Sequence, residues 1–115
     1  MFESFNIEND INDILYEIED LGFRVDKSIS KDEISIFITN EKEEKGNTHD
    51  WMTYPMTVEF SVLRYNIEHL ISFLKDNDWE LDSCYNIIQL NPAKIDISKL
   101  KDNDLVGRLE FRFNN

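Results

Sequence analysis

Apolar residues recur at three- and four-residue steps near the start of the chain. Ile7, Ile11, Ile14, Leu15, Ile18 and Leu21 fall on one stripe, and this period predicts an amphipathic helix over residues 7–21. Asn6 is its candidate N-cap, and Gly22 stands where a left-handed residue ends a helix. The step then shortens to two. Phe23, Val25 and Ile29 form one alternating run and Ile34, Ile36 and Ile38 another, with Ser30-Lys31-Asp32 as the turn of a hairpin between them. Residues 40–50 contain Gly46 and almost no apolar side chain, which predicts a mobile loop. Met56, Val58, Phe60 and Val62 alternate with Thr57, Glu59 and Ser61, the signature of a half-buried strand. Leu63, Ile67, Leu70, Ile71 and Leu74 restore the helical period over residues 63–76, with Asn77 as terminator. Trp79 and Leu81 then start a strand that extends to Leu90 and closes at Asn91-Pro92. Residues 92–104 form a connection with one helical turn around 97–101. A last strand sets Leu105, Gly107, Leu109, Phe111 and Phe113 on one face and Arg108, Glu110 and Arg112 on the other.

The resulting order is α-β-β-β-α-β-β without an alternating β-α-β repeat. It predicts an α+β domain: a mainly antiparallel sheet of about five strands with both helices packed on one face. A chain of 115 residues with 41% hydrophobic content is expected to form a single domain over residues 1–115 around one core.

Charge changes this picture most in the first helix. Before the first basic residue, Arg24, stand Glu3, Glu8, Asp10, Asp13, Glu17, Glu19 and Asp20, so the polar face of the helix is acidic with no compensating cation. Glu8 and Asp10 suit the positive end of the helix dipole. Glu17, Glu19 and Asp20 sit near the negative end, where an exposed acid costs about 0.3–1 kcal/mol, so local stability does not account for them. The whole chain has 24 acids against 12 basic residues, a net charge of −12. That balance argues against a nucleic-acid backbone or an anionic membrane as partner and favours a basic protein, with simple solubility as the competing explanation. The single cysteine, Cys84, excludes an intramolecular disulfide and fits a reducing compartment. No apolar run approaches the roughly 20 residues of a membrane span, and the expected location is the cytoplasm.

Candidate chemistry is sparse. Asp76, Asp78, Glu80 and Asp82 place acids at alternate positions, but the EF-hand pattern fails, because its glycine and final carboxylate positions hold Leu81 and Ile87. The apolar Trp79 and Leu81 between them predict an exposed acidic strand edge rather than a metal site. His49 and His69 have no zinc-ligand spacing. Cys84 reads as a small core residue, the alternative being a nucleophile paired in space with a histidine. Gly22, Gly46 and Gly107 are too scattered to cradle a phosphate. Neither a cofactor nor an enzymatic activity is expected. Trp51 and Tyr54 follow the polar loop beside acids, a combination that protein interfaces favour, the alternative being that both fold back over the sheet edge as core; Arg64 and Tyr65 are candidates for the same surface.

The run Ile11-Asn12-Asp13-Ile14-Leu15-Tyr16-Glu17-Ile18, followed by Phe23-Arg24-Val25, resembles the opening helix and strand of small acidic phage inhibitors of CRISPR nucleases. The resemblance covers residues 11–25, and the second half of the chain departs from that pattern, so no contact residue is carried over. It implies a class of action, the masking of a basic nucleic-acid-binding groove by a phage- or mobile-element-encoded protein. Toxin-neutralising immunity proteins would use the same physics. The sequence reading is therefore a non-enzymatic binding protein, monomeric or homodimeric. Its expected partner-binding residues are Glu8, Asp10, Asp13, Glu17, Glu19 and Asp20, the aromatics Trp51 and Tyr54, and the acids Asp76, Asp78, Glu80 and Asp82. An assembly protein of a phage particle or larger complex is the alternative.

Overall fold

The computed structural model describes residues 2–40, 60–88, 90–101 and 106–115. Helix α1 runs over Phe2–Asp20, strand β1 over Phe23–Ile29 and β2 over Glu33–Asn40; helix α2 spans Phe60–Asp76. Strands β3 (Glu80–Ile88) and β4 (Asn91–Lys94), a 3-10 turn at Ile97–Lys99 and strand β5 (Arg108–Asn114) complete the described elements. The expected α+β class and antiparallel sheet are present. All strand pairs are antiparallel, and the order across the five-stranded sheet is β1-β2-β5-β3-β4. Among the described strands, the two hairpins β1–β2 and β3–β4 are thus joined by β5.

The alternation read in the sequence decides which side of the sheet is dry. Ile36 pairs with Phe111, which pairs with Cys84, and Ile34 pairs with Phe113, so these side chains share one face. Both helices pack on it. Helix α1 buries Ile11, Ile14, Leu15 and Ile18, and α2 buries Leu63, Ile67, Leu70 and Leu74. The steps are those of a helical stripe, and each such side chain contributes roughly 1.5–3 kcal/mol by leaving water.

Helix ends depart from the sequence expectation in specific ways. Helix α1 begins at Phe2, so Asn6 lies inside the first turns rather than at the cap. Its C-terminal end matches: Gly22 has φ +100, and its N–H donates to the Glu19 carbonyl at 2.9 Å. Helix α2 begins at Phe60, three residues before the expected start, which makes Phe60 and Val62 helical instead of strand. Val62 is 41% exposed, so the apparent two-residue alternation did not mark a buried face. Residues 56–59, the rest of that expected strand, lie outside the described residues, as does the expected loop over 41–50. The other end of α2 closes on Asp78 at φ 70, with the Trp79 N–H donating to the Leu74 carbonyl at 2.8 Å and the Asp78 N–H to Lys75 at 3.1 Å. This is the Schellman arrangement, with the apolar residue after the cap, Trp79, buried over the helix end.

Strand β4 was not anticipated. Asn91-Pro92 reads as a stop, yet the chain turns there and pairs back, Ile88 with Asn91 and Tyr85 with Lys94. Pro92 is tolerated because β4 is an edge strand, where a missing N–H faces no partner. Val106 and Gly107 lead into β5 with the Gly107 N–H donating to the buried Asn86 side-chain oxygen at 3.0 Å. A Cβ on Gly107 would sit 2.1 Å from the Ile87 carbonyl oxygen. That close approach, not a turn, is why glycine appears in phase with the buried residues of this strand.

Candidate functional site

The six candidate acids of α1 are all exposed. None of their carboxylates has an ion pair or side-chain hydrogen bond among the described residues. The helix separates them into two groups. Asp10, Asp13, Glu17 and Asp20 follow at three- and four-residue steps, which makes one continuous stripe about 15 Å long at 1.5 Å per residue. Glu8 and Glu19 lie on the flank toward β1. Glu19 shares a depression of about 150 Å³ with Tyr16, Val25 and Lys27, and Glu8 shares a groove of about 300 Å³ with Ile7, Ile29, Lys31 and Trp79. The last turn of α1 contains no basic residue. Its C-terminal carbonyls and the acids Glu17, Glu19 and Asp20 therefore add their negative potentials instead of cancelling. Tyr16, which the sequence reading did not single out, is 63% exposed beside Asp13 and Glu17. An aromatic residue out of phase with the buried stripe was its signal.

The second acidic group gathers where α2 ends and β3 begins. Asp76 ends α2, Asp78 forms its left-handed cap, and Glu80 opens β3; all are exposed. The pairing of β3 with β5 shifts register between Leu81 and Ser83, which leaves Asp82 as the extra residue of a bulge. Asp78, Glu80 and Asp82 consequently line one open depression of about 380 Å³ together with Lys75 and Asn114. Asp78 also lines the groove that contains Glu8, so the fold brings the two acidic regions to adjoining sites. Asp76 lines neither. Among the described residues no group of three or more His, Cys, Asp or Glu is placed to hold a metal ion.

The face of the sheet turned away from the helices has a different character. Register places Asp26, Phe37, Glu110, Tyr85 and Lys94 across it in one row and Ser28, Ser35, Arg112 and Ser83 in the next. Arg24 and Arg108 stand beyond them. Arg24 approaches Asp26 at 3.4 Å, and Arg108 approaches Glu110 at 3.6 Å with its guanidinium 4.6 Å over the Phe37 ring. At 3.6 Å the Arg108 Nε gains charge attraction but no hydrogen bond, and this buried donor has no hydrogen-bond partner among the described residues. No described element covers this face.

The remaining candidates separate cleanly. Trp51, Tyr54 and His49 lie outside the described residues. Tyr65 is 72% exposed on α2, and Arg64 bridges to Glu68 at 3.7 Å while donating to the Leu100 carbonyl, which ties α2 to the segment after the 3-10 turn. Cys84 is buried in the core, and burial, reinforced by the Asp96 charge, pushes its thiol up to about 12. It is therefore protonated near neutral pH and unsuited to nucleophilic attack. Asp96 caps the 3-10 turn. Its carboxyl is held below the usual range by hydrogen bonds from the Ser98 hydroxyl at 2.7 Å and the Ser98 N–H at 3.0 Å.

The structure thus defines a two-layer α+β domain with an acidic helix layer and an arginine-bearing sheet face. Among known proteins, no family model, curated protein or solved structure matches the chain. No described helix is long and apolar enough to cross a membrane.

Proposed function

We propose that the protein is a stoichiometric, non-enzymatic binding protein that masks a basic surface of a partner, a nucleic-acid-binding effector or a toxin, and that it is encoded by a phage or mobile element. One observation carries the reading: the exposed stripe Asp10, Asp13, Glu17 and Asp20 along the outer face of α1, without an ion pair among the described residues and continued onto a helix end whose own dipole is negative. An exposed carboxylate there raises the energy of the free protein slightly and gains only when a cation arrives. The adjoining groove with Glu8 and Asp78, and the depression with Glu80 and Asp82, extend the acidic surface at one end.

The test is a comparison of wild type with D10N/D13N/E17Q/D20N as bait for host proteins, followed by titration of the recovered partner at several salt concentrations. The wild type is expected to retain a basic nucleic-acid-binding protein with an affinity that falls as salt rises, since exposed charge pairs are screened over about 8–10 Å at physiological ionic strength. The neutral variant should lose it. An unchanged affinity and salt slope in that variant would refute the reading.

A further inference from the structure

We propose that the open face of the sheet is a docking site for α1 of a second copy of this chain, so that the protein associates head to tail. Three of the chain's four arginines, Arg24, Arg108 and Arg112, stand on that face, although the chain as a whole carries −12. Phe37 and Tyr85 lie between them, both half-buried within the sheet surface. Arginine and aromatic residues are the types that protein interfaces concentrate, and a merely solvated face in so acidic a chain has no need of them.

Arg112 is the centre of the face. Ser35 and Ser83 stand directly opposite it on the two neighbouring strands. It is exposed, and it makes no ion pair or hydrogen bond among the described residues. Arg108 approaches Glu110 through its Nε at 3.6 Å, and its guanidinium has further N–H donors at the terminal nitrogens. The half-exposed Arg108–Glu110 pair is the kind worth less than about 1 kcal/mol, so sharing the guanidinium with another carboxylate costs little.

The complementary surface is on the same molecule. The stripe Asp10, Asp13, Glu17 and Asp20 extends about 15 Å, with Tyr16 exposed beside it. Arg108 and Arg112 are about 13 Å apart along β5 at 3.3 Å per residue. A helix laid along β5 brings a carboxylate pair to each guanidinium, where two-pronged N–H···O contacts are the strong kind. The stripe and the open face lie on opposite sides of the two layers. Each added copy therefore leaves one of each surface free, and growth continues unless the rotation closes a ring. This inference rests on the same α1 stripe as the proposed function and adds a regulation: self-association covers the stripe, and a basic partner competes for it.

Sedimentation at about 0.15 M salt, where the mutual repulsion of the copies is screened within about 8 Å, tests it. The wild type should show a mass rising with concentration from the 13.7 kDa monomer past the dimer. R112E alone and D13N/E17Q alone should each associate about tenfold more weakly or not at all. An equimolar mixture of the two should give a 1:1 complex that grows no further, because one variant supplies the intact helix and the other the intact sheet face. A wild type that stays monomeric up to about 1 mM, one that stops at a symmetric dimer, R112E associating like wild type, or a mixture that forms no complex would each overturn it. R112E keeps the α1 stripe, so basic-partner binding by this variant reports on the proposed function separately.

Discussion

Replacing Gly107 with alanine adds one methyl group, and the structure gives that group nowhere to go. It would lie 2.1 Å from the Ile87 carbonyl oxygen, 3.1 Å from the Ile87 carbonyl carbon and 3.4 Å from the Ile88 Cα. A carbon–oxygen contact normally settles near 3.3 Å, so the two segments must part by about 1 Å. All three obstructing atoms are backbone of β3, which cannot swing aside as a side chain would. Parting them strains the Ile87–Arg108 pairing and pulls the Gly107 N–H from the buried Asn86 oxygen, now 3.0 Å away. Overpacking costs about 1–3 kcal/mol, and a stranded buried polar group costs about another 1–3 kcal/mol. Against this, alanine lowers the entropy of the unfolded chain by about 0.4–1 kcal/mol. The net loss expected is about 2–5 kcal/mol, a large part of the 5–15 kcal/mol typical of a domain. Urea unfolding followed by tryptophan fluorescence and circular dichroism measures it, Trp79 being a buried reporter. Gly22→Ala is the comparison, because there a Cβ meets nothing within 4 Å and only the φ of +100 resists substitution. A G107A loss below about 1 kcal/mol would refute the close approach of residue 107 to β3 and the account of β5 built on it.

Other substitutions have equally definite expected outcomes. E17Q/E19Q/D20N should leave stability unchanged or raise it by about 1 kcal/mol by chemical denaturation, because it removes acids from the negative end of a helix; a clear loss of stability would mean those carboxylates have structural partners. Asp78→Gly and Leu90→Gly each relieve a left-handed residue, at φ 70 and φ 66, and should stabilise by up to about 1 kcal/mol in the same assay. Leu90, at 71% exposure, loses little packing in the exchange. Cys84 should resist a thiol reagent in the native state and react once urea unfolds the chain. Its folded value of about 12 lies above the ordinary 9.0, so the unfolded chain gives up the proton first and stability declines as pH rises above about 9. Cys84→Ala should flatten that alkaline decline, measured as urea midpoints between pH 8 and 11, whatever its cost at neutral pH.

The buried stripe of α1, the alternation of Ile34, Ile36 and Ile38, and the glycine ending the first helix were legible because each is a local pattern repeated over several residues. The start of α2 was not. Phe60 and Val62 alternate with polar residues as a strand would, and tertiary packing of the following leucines and isoleucines extended the helix over them. Strand β4 was hidden by Pro92, whose meaning depends on whether its strand lies at an edge, a fact of topology and not of composition. The acids of α1 were readable as a group, but not their division into an outer stripe and a flank beside Lys27 and Lys31, which depends on where β1 packs. Arg108 and Arg112 were seen on the polar side of the last strand. That no described element covers this side, and that it gathers Arg24 from across the sheet, required the strand order.

That strand order also constrains how the chain can be made. Strand β5 follows every other described element, yet it occupies the middle of the sheet, between β2 and β3. During synthesis the segments of both hairpins are made before the strand that joins them, and each has an inner edge of N–H and C=O groups that only β5 pairs. Such edges invite pairing between chains on crowded ribosomes. A net charge of −12 keeps neighbouring nascent chains apart during that interval. The sheet is thus completed at its centre and completed late.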